Sequence, residues 1–344
     1  MSKFVTLDEV RAAKERIAGV AVRTPLYRVE RARLQMAKIA EPEFDLYIKA
    51  ESEQPIGSFK LRGAYNMVAQ LPPEALKRGV ITYSSGNHAQ GVAYAARALG
   101  AKAVIVMPEN APEIKKAATR ALGAEIVEVG PASLERKVKA EELVAEFGYA
   151  MIPPYDAPEI IAGQGTCGLE IVEQLPGVDL VISPVSGGGL LSGIATAVKL
   201  AAEAGVAKPE VQVWGAEPEL AADAKESFET KTLVEWPASK TTRTIGDGLR
   251  TQSLGALNFE HVLRFVDGIV AVTEEEIFAA IKVMLAATKL VPEPSGAVTL
   301  AAALFHAHEL PKVKKVAVVL SGGNLEPALR ERLEGELAAG STRR

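Results

Sequence analysis

Short runs of β-branched and other apolar residues alternate along this chain with alanine-rich segments whose apolar residues recur at helical spacing. This order favours parallel sheets that are covered by helices on both faces. Some runs, such as Ala103–Met107 and Val316–Leu320, contain no polar residue, which is typical of strands buried on both sides. The sequence therefore predicts an α/β fold. The predicted strands are Phe44–Ala50, Val80–Ser85, Lys102–Met107, Ala124–Val129, Asp179–Val185, Glu210–Ala216, Gly268–Val272 and Lys315–Leu320.

The helical segments between these strands are amphipathic, with one apolar face each. No internal repeat separates the chain into equal units, and the proline-rich stretch Ile152–Pro158 is the best candidate for a crossing between domains. The length of 344 residues suggests roughly two domains at ~150 residues each. The predicted helices include Ala89–Leu99, Glu113–Leu122, Leu134–Phe147, Leu190–Ala204 and Glu274–Lys289.

The composition excludes several classes of protein. The chain has 39 basic and 43 acidic residues, a net charge of −4, and no basic run, which argues against nucleic acid or an anionic membrane as the main partner. Cys167 is the single cysteine, so no internal disulfide can form, and a reducing compartment is indicated. The N-terminus lacks an apolar signal region, and no apolar run is long enough to span a membrane. We expect a cytoplasmic globular protein.

Glycine-rich and polar loops follow the predicted strands, where ligands bind in open α/β sheets. In one of them, three glycines at 187–189 precede a helix, which suits an anion such as phosphate. The loop is neither a P-loop nor a dinucleotide fingerprint, because Ser192 occupies the third glycine position. A tight turn without a ligand would also explain the glycines. The four loops are Gly57–Gly63, Ser84–His88, Ser186–Leu190 and Leu320–Asn324.

Two of these loops contain reactive or polar side chains at predicted helix starts. Lys60 would have a lowered pKa there, which favours the neutral amine that a Schiff base requires, although most lysines in such places are simply solvated. In the 84–88 loop, hydroxyls, an amide and helix N–H groups form a natural carboxylate receptor, or else an N-cap with a turn glycine. Together the loops indicate a site for a small phosphorylated, carbonyl-bearing cofactor and an anionic substrate.

Five segments occur in an order that is specific as a set, although each is ambiguous alone. They cover most of the chain from its first quarter to its last strand. They are Gly57–Ala64, Ser84–Gly91, Ile161–Thr166, Ser186–Leu190 and Ser321–Asn324.

These motifs resemble those of the serine/threonine dehydratases and serine racemases, which are pyridoxal-phosphate enzymes of fold type II. The resemblance implies two domains, each with a mostly parallel sheet flanked by helices. Residues 1–75 and 155–344 would form a discontinuous large cofactor-binding domain, and 76–154 a small mobile domain. It also implies a homodimer. Because the chain ends at Arg344, shortly after the last motif, we expect no C-terminal regulatory domain.

The resemblance assigns most of the loop residues to the cofactor. Lys60 would form the internal Schiff base and act as a base on one face of the cofactor. Asn87 would bind its 3′-oxygen, and Ser321 would face the pyridine nitrogen. Relatives more often have glycine where this chain has Ser186. The remaining cofactor residues implied are Phe59 near the ring, Ser186, Gly187, Gly188, Gly189 and Leu190 around the phosphate, and Glu293 beside the ring.

Substrate-binding residues follow from the same resemblance. Ser85 matches the opposite-face acid/base of the racemase type, since many dedicated threonine dehydratases have alanine there; a carboxylate-binding hydroxyl is the alternative. The substrate carboxylate would be bound by Ser84, Ser85, Gly86 and His88, and the pocket lined by Tyr155 and Thr251.

A divalent-cation site is a further implication of the resemblance. Glu217, the carbonyl of Ala221 and Asp223 have the spacing of that site in serine racemases. Two carboxylates and a carbonyl suit Mg²⁺ or Ca²⁺, with Mn²⁺ as another candidate. Without the resemblance, two acidic residues at this spacing would be read as solvated surface groups.

The predicted function is β-elimination of L-serine, L-threonine or a 3-hydroxyaspartate to a keto acid and ammonia, by Schiff base exchange at Lys60 and abstraction of the α-proton. The alternative is a serine or related amino-acid racemase that uses Lys60 and Ser85 on opposite faces. Two hypotheses of other classes stay open: a nucleotide-dependent dehydrogenase using the 187–189 loop, and a catalytically silent amino-acid-binding protein. Lys60 and the missing third glycine count against the dehydrogenase, and the presence of Lys60, Asn87 and Ser321 together counts against the silent binding protein.

Overall fold

The computed structural model describes residues 4–36, 42–130, 133–288 and 290–341. Within these ranges the strands form two sheets, and all eight predicted strands are present with ends shifted by at most two residues. Two very short strands, Leu26–Arg28 and Ala150–Met151, were not predicted. The strands are β1 (Leu26–Arg28), β2 (Asp45–Ala50), β3 (Val80–Tyr83), β4 (Ala103–Pro108), β5 (Glu125–Val129), β6 (Ala150–Met151), β7 (Leu180–Pro184), β8 (Gln212–Pro218), β9 (Gly268–Val272) and β10 (Lys315–Leu320).

The five helices named from the sequence are present as α5, α6, α7, α9 and α13 in the following list, with ends shifted by at most two residues, and the predicted end at Lys289 lies outside the described residues. The helices of the described ranges are α1 (Leu7–Ile17), α2 (Arg31–Met36), α3 (Lys60–Val68), α4 (Pro73–Arg78), α5 (Asn87–Ala98), α6 (Glu113–Ala121), α7 (Ser133–Phe147), α8 (Pro158–Gln174), α9 (Gly189–Glu203), α10 (Asp223–Thr230), α11 (Ala238–Thr241), α12 (Ala256–Phe265), α13 (Glu274–Ala287), α14 (Pro294–Phe305) and α15 (Pro327–Ser341).

The larger sheet has six strands in the order β1-β2-β10-β7-β8-β9. Its strands run parallel except β1, which pairs antiparallel with β2 at the edge. In the centre, Val318 lies opposite Ile48 and Ile182. Parallel pairing brings the carboxyl ends of β2, β10, β7 and β8 to one edge, as the sequence pattern predicts.

Side chains of this sheet alternate between two separate apolar layers. Ile182 and Val318 pack in the layer that includes α13 and α14, whereas Val181 and Val319 pack in the layer that includes α8 and α9. This two-residue period follows from the pleat of a strand. Burial on both faces explains why these strands have continuous apolar sequences.

The smaller sheet has four parallel strands in the order β5-β4-β3-β6. One face packs on α5 and α3 through residues such as Val80 and Ile105, and the other packs on α7 through Ile81 and Val106. Helix α3 contacts α5 on one side and α8 on the other, so it lies between the elements of the two sheets. None of the helices in the described ranges combines the length and the apolar character needed to cross a membrane.

Local signals explain where several helices begin. Thr6 and Glu9 form a capping box at α1, and Thr273 and Glu276 form another at α13. Helix α8 begins with Pro158, whose missing N–H costs nothing at that position. By contrast, the N-caps of α3, α5 and α9 make no side-chain hydrogen bond, so their first N–H groups stay available to a ligand.

Candidate active site

The starts of α3, α5 and α9 lie close together: Gly91 of α5 packs on the Lys60 backbone, and the Lys60 amine bonds to Pro154, next to the Tyr155 that packs on Gly189. We call the region between these helix starts the cleft. Hydrogen bonds join the loops across this cleft. Asn87 Nδ2, after β3, donates to Glu293 Oε1 at 2.8 Å, and Asn324 Nδ2, after β10, donates to Asn87 Oδ1 at 2.7 Å. The structure therefore brings loops of both sheets into one site.

Lys60 is the first residue of α3 and lies inside this cleft. The preceding backbone is tied to the loop after β10, because the N–H of Phe59 donates to the Ser321 carbonyl at 3.0 Å. Lys60 Nζ donates to the Pro154 carbonyl at 2.8 Å. Burial lowers the pKa of Lys60 to about 8, while the charge of Glu293 acts in the opposite direction. A substantial fraction of this amine is therefore neutral near physiological pH.

Glu293 is buried beside the loop after β10. Burial raises its pKa to about 7, and the charge of Asp247 adds to this effect. A Cβ on Gly322 would overlap the Glu293 carboxylate, so a side chain at this position would displace that carboxylate. Asn87, Glu293 and Ser321, which were predicted as cofactor residues, therefore lie around Lys60.

The glycine loop after β7 forms a narrow cradle at the start of α9. A Cβ at Gly187 would overlap the Tyr155 ring, and one at Gly189 would lie 3.0 Å from Tyr155 Cβ. Gly188 has a φ of +98°, and a Cβ there would lie 2.7 Å from Asn258 Cβ. The three glycines are thus required by close neighbours, and Leu190 is buried behind them. This backbone can approach an anion closely.

Ser186 and Thr251 close one side of the same loop, with their hydroxyl oxygens 2.8 Å apart. This contact gives the Ser186 hydroxyl a hydrogen-bonding partner at the edge of the loop. Thr251, predicted to line the substrate pocket, is therefore in direct contact with the predicted phosphate loop.

The residues that support Tyr155 were missed by the sequence analysis. Asn258 Nδ2 donates to the Tyr155 carbonyl at 3.2 Å, and Asp156 Oδ1 accepts the N–H groups of Leu257 at 3.0 Å and Asn258 at 3.2 Å. Asp156 thereby binds the start of α12. No local motif connects these positions, which are distant in the chain.

In the loop after β3, Ser84 and Ser85 are partly exposed, whereas the His88 side chain is buried. The Gly86 N–H donates to Ser84 Oγ at 3.3 Å, and both Ser84 and Ser85 are half-buried. The His88 ring lies 2.9 Å from the Ile152 carbonyl through Nε2. Burial lowers the pKa of His88 to about 3, so the ring is neutral and donates this bond. The ring of His88 thus binds the segment after β6, which leaves its backbone N–H for the predicted carboxylate.

Glu217, near the end of β8, lies close to Ala221 and Asp223, which follow that strand, and each of the three is no more than 1% exposed. Glu217 Oε1 accepts the Lys225 N–H at 2.7 Å, but Glu217 Oε2 and Asp223 Oδ2 have no hydrogen-bond partner in the described part of the chain. Burial raises the pKa of Glu217 well above its usual range and that of Asp223 to about 7. The site contains two carboxylates. Within the described residues no group of three or more His, Cys, Asp or Glu side chains could hold a metal ion.

An ion pair at the mouth of the cleft was also missed. Lys115 Nζ, on α6, lies 2.5 Å from Asp247 Oδ2 in a loop of the larger sheet. Both charges are close enough to Glu293 to affect its pKa. The pair joins α6, which packs on the smaller sheet, to the segment between α11 and α12, and only the folded chain brings these residues together.

Comparisons with known proteins agree with this geometry. A family model described as "Pyridoxal-phosphate dependent enzyme" matches residues 17–322. The chain is 41% identical over 281 residues to the L-threo-3-hydroxyaspartate ammonia-lyase of Saccharomyces cerevisiae, covering 82% of this chain and 83% of that protein. It is 38% identical over 323 residues to the serine racemase of Schizosaccharomyces pombe, covering 93% and 94%.

The fold is also similar to that of solved structures. The maize serine racemase superposes with a TM-score of 0.87 at 34% identity, over 98% of this chain and 99% of that one. The predicted fold class, with two parallel sheets flanked by helices, is confirmed. The chain therefore belongs to the pyridoxal-phosphate dependent enzymes, and to fold type II among them.

Proposed function

We propose that this protein is an ammonia-lyase that converts a small β-hydroxy amino acid to a keto acid and ammonia. The candidate substrates are L-threonine, L-serine and 3-hydroxyaspartate. The observation that carries the proposal is the position of Lys60, whose amine has a lowered pKa and lies in one cleft with Asn87, Ser321 and the glycine loop. The names of the relatives, an ammonia-lyase and two racemases, support chemistry at the α-carbon of an amino acid.

The residues of the cleft fit pyridoxal phosphate. The cradle at Gly187–Gly189, in which Cβ atoms would collide with Tyr155 and Asn258, suits a phosphate at the start of α9. Asn87 and Ser321 would bind the ring's polar atoms, with Phe59 and Glu293 beside it. When bound, the cofactor bonds covalently to an amine and withdraws electrons, which acidifies the Cα–H of an amino acid.

The side chains of this protein supply the proton transfer and the substrate orientation. Lys60 Nζ would take the α-proton, since its pKa of about 8 allows it to act as a base near neutral pH. The hydroxyls of Ser84 and Ser85 and the N–H groups at the start of α5 would bind the substrate carboxylate. The Lys115–Asp247 pair would hold the cleft closed and restrict the access of water.

The test is a visible absorption spectrum of the purified protein with pyridoxal phosphate, before and after borohydride, followed by assays with the three candidate substrates. We expect a visible band that is lost on reduction, and a keto acid released together with ammonia. A protein that forms no band with the cofactor, or that forms it and releases no keto acid from any of the three substrates, would contradict the proposal.

Racemisation is the second candidate function, with Ser85 as the proposed acid/base on the face opposite Lys60. Ser84 Oγ accepts the Gly86 N–H, whereas Ser85 Oγ has no such bond in the described part of the chain. If Ser85 is this second base, Ser85→Ala will abolish formation of the D-isomer and retain keto acid release. Equal loss of both products would identify Ser85 as a carboxylate ligand only.

The pH dependence of cofactor attachment follows from the pKa of Lys60. Only the neutral amine is nucleophilic, so the attachment rate to cofactor-free protein should rise about tenfold per pH unit below pH 8 and level off above it. Glu293→Gln removes a negative charge that raises this pKa, so the midpoint should move to lower pH. Stopped-flow absorbance measures both profiles. A midpoint near that of an ordinary lysine, or an upward move in Glu293→Gln, would show that this assignment is wrong.

We also propose a divalent cation, Mg²⁺ or alternatively Ca²⁺ or Mn²⁺, at Glu217, Asp223 and the Ala221 carbonyl. The buried, unpartnered carboxylate oxygens fit a hard cation with oxygen ligands. A cation at 100 times its dissociation constant should stabilise the fold by about 2.7 kcal/mol. Thermal unfolding with Mg²⁺ and with a chelator measures the effect, and Asp223→Asn should remove it. An equal response of the wild type and this variant would refute the site.

Three finer points remain proposals. We infer that residues 76–154 form a small mobile domain between the parts 1–75 and 155–344 of a larger one, because the smaller sheet lies within this segment. We further propose a homodimer and, from the single cysteine, a cytoplasmic location. Sedimentation of the holoenzyme and limited proteolysis with and without substrate test the first two points.

A further inference from the structure

Helix α8 contains the Ile161–Thr166 motif, to which the proposed function assigns no role. It packs against α3, which begins with Lys60, and against α9, which begins at the glycine loop. The two helices that would hold opposite ends of the cofactor are therefore both placed by α8.

The contact with α3 is unusually close because both helices have glycine there. A Cβ on Gly163 would lie 2.6 Å from Gly63 Cα and 2.8 Å from the Arg62 carbonyl. Gly63 is three residues after Lys60 on α3, so this contact lies one helical turn from the lysine. Any side chain at position 163 would push α3 away from α8.

Charged hydrogen bonds fix the register of the same contact. Arg62 is fully buried, and its Nη1 donates to Thr166 Oγ1 at 3.1 Å and to Glu170 Oε1 at 2.7 Å. Thr166 and Glu170 follow Gly163 by three and seven positions, which places all three on one face of α8. This face prevents α3 from sliding or rotating on α8.

The contact with α9 uses the other side of α8. Gly165 lies roughly 200° around the helix from Gly163, at ~100° per residue. A Cβ on Gly193 of α9 would lie 2.6 Å from the Gly165 N, and one on Gly168 would lie 2.9 Å from Ile194 Cα. Close glycine contacts on opposite faces of α8 thus fix the distance between α3 and α9.

We propose that α8 is a spacer that sets the distance between Lys60 and the glycine loop, with Gly163 and Gly165 as positioning residues for the cofactor. This inference rests on the proposed assignment of Lys60 and Gly187–Gly189 to the two ends of pyridoxal phosphate. A ligand held at two points gains affinity from its linkage only when both points fit its length. A change in spacing should therefore weaken the whole cofactor and leave binding at each separate end unchanged.

The experiment compares cofactor-free wild type with Gly163→Ala, using three probes. The dissociation constant of pyridoxal phosphate is measured by visible absorbance. The phosphate-free analogue pyridoxal is trapped on Lys60 with borohydride, and inorganic phosphate is followed by its effect on the unfolding temperature. We expect the dissociation constant of pyridoxal phosphate to rise roughly 100-fold, the lower end of the affinity that linkage of two binding points provides, with pyridoxal trapping and the phosphate effect unchanged.

Gly335→Ala is the matched control, because Gly335 is also helical and a Cβ there meets open space. Gly165→Ala is the milder second variant, since its Cβ would lie 3.0 Å from both the Gly193 carbonyl and Val10 Cγ2, and it applies if Gly163→Ala does not fold. The proposed spacer role of α8 is wrong if pyridoxal trapping and pyridoxal phosphate binding weaken in parallel, or if the binding of pyridoxal phosphate is unchanged in both variants. Failure of the wild type to bind pyridoxal phosphate would instead overturn the proposed function.

Discussion

Lys60→Ala should eliminate both the visible band with pyridoxal phosphate and the release of keto acid. The variant lacks the amine that would bond to the cofactor and the base that would take the α-proton. Loss of a positioned base alone costs roughly 10²–10⁴ in rate, and loss of the covalent anchor adds to this. Absorbance and keto acid assays on the same sample measure both effects.

The variant should still fold, since the amine of Lys60 makes one hydrogen bond, to the Pro154 carbonyl, and His88 continues to bind the same segment at Ile152. One such bond contributes about 1 kcal/mol. Lys60→Arg is the matched control, because arginine retains the charge but cannot lose its proton near neutral pH. It should be as inactive as Lys60→Ala. Keto acid release above about one tenth of the wild-type rate in either variant would assign the base to another residue, since a positioned base contributes more than this.

Arg62→Ala should strongly destabilise the fold. Arg62 Nε donates to Glu51 Oε2 and its Nη1 to Glu170 Oε1, each at 2.7 Å, and all three side chains are buried. Removing the guanidinium leaves two carboxylates buried beside a cavity. Breaking a buried ion pair in this way typically costs about 3–5 kcal/mol of unfolding free energy. Urea unfolding measures this cost.

The pH dependence of that loss has a defined sign. Burial alone would raise the pKa of Glu51, but the charge and hydrogen bonds of Arg62 outweigh it and lower the pKa to about 2. Because its pKa is lower in the folded than in the unfolded state, the ionised Glu51 carboxylate stabilises the fold above the ordinary pKa of 4.5. This contribution to the free energy of unfolding is lost as the pH falls toward 2. The difference in stability between wild type and Arg62→Ala should therefore narrow in acid.

Arg120→Ala provides the comparison, because Arg120 pairs with Glu113 at 2.6 Å on the exposed side of α6. Exposed pairs contribute about 0–1 kcal/mol. A similar cost for Arg62→Ala and Arg120→Ala would mean that the buried guanidinium does not stabilise the fold. Arg62→Lys should be intermediate, since one ammonium cannot form the fork that reaches both carboxylates.

Much of the fold could be predicted from the chain because the larger sheet is buried on both faces. Continuous apolar runs such as Val316–Leu320 mark its strands directly. Strands β1 and β6 escaped prediction since they have three and two residues, too few for a period to be visible. Their pairing with β2 and β3 stabilises them, and that pairing is a long-range effect.

The candidate site divides in the same way. Lys60 and the loops with Ser84–Asn87, Gly187–Gly189 and Ser321 stand at strand-to-helix junctions, where local sequence marks both the turn and the helix start. The bonds of Asn258 to Tyr155, and of Lys115 to Asp247, join residues from distant parts of the chain. No spacing rule connects such pairs.

His88 and Gly163 show the difference most clearly. The sequence by itself determined the order of strands and helices along the chain, the loops proposed to bind ligands and the position of the lysine, because periodicity, glycine turns and helix starts are local properties. Only the tertiary structure decided that the His88 ring binds Ile152 and that Gly163 sets the approach of α3 to α8. These roles depend on which surfaces meet when distant segments pack, and close packing leaves room for one arrangement.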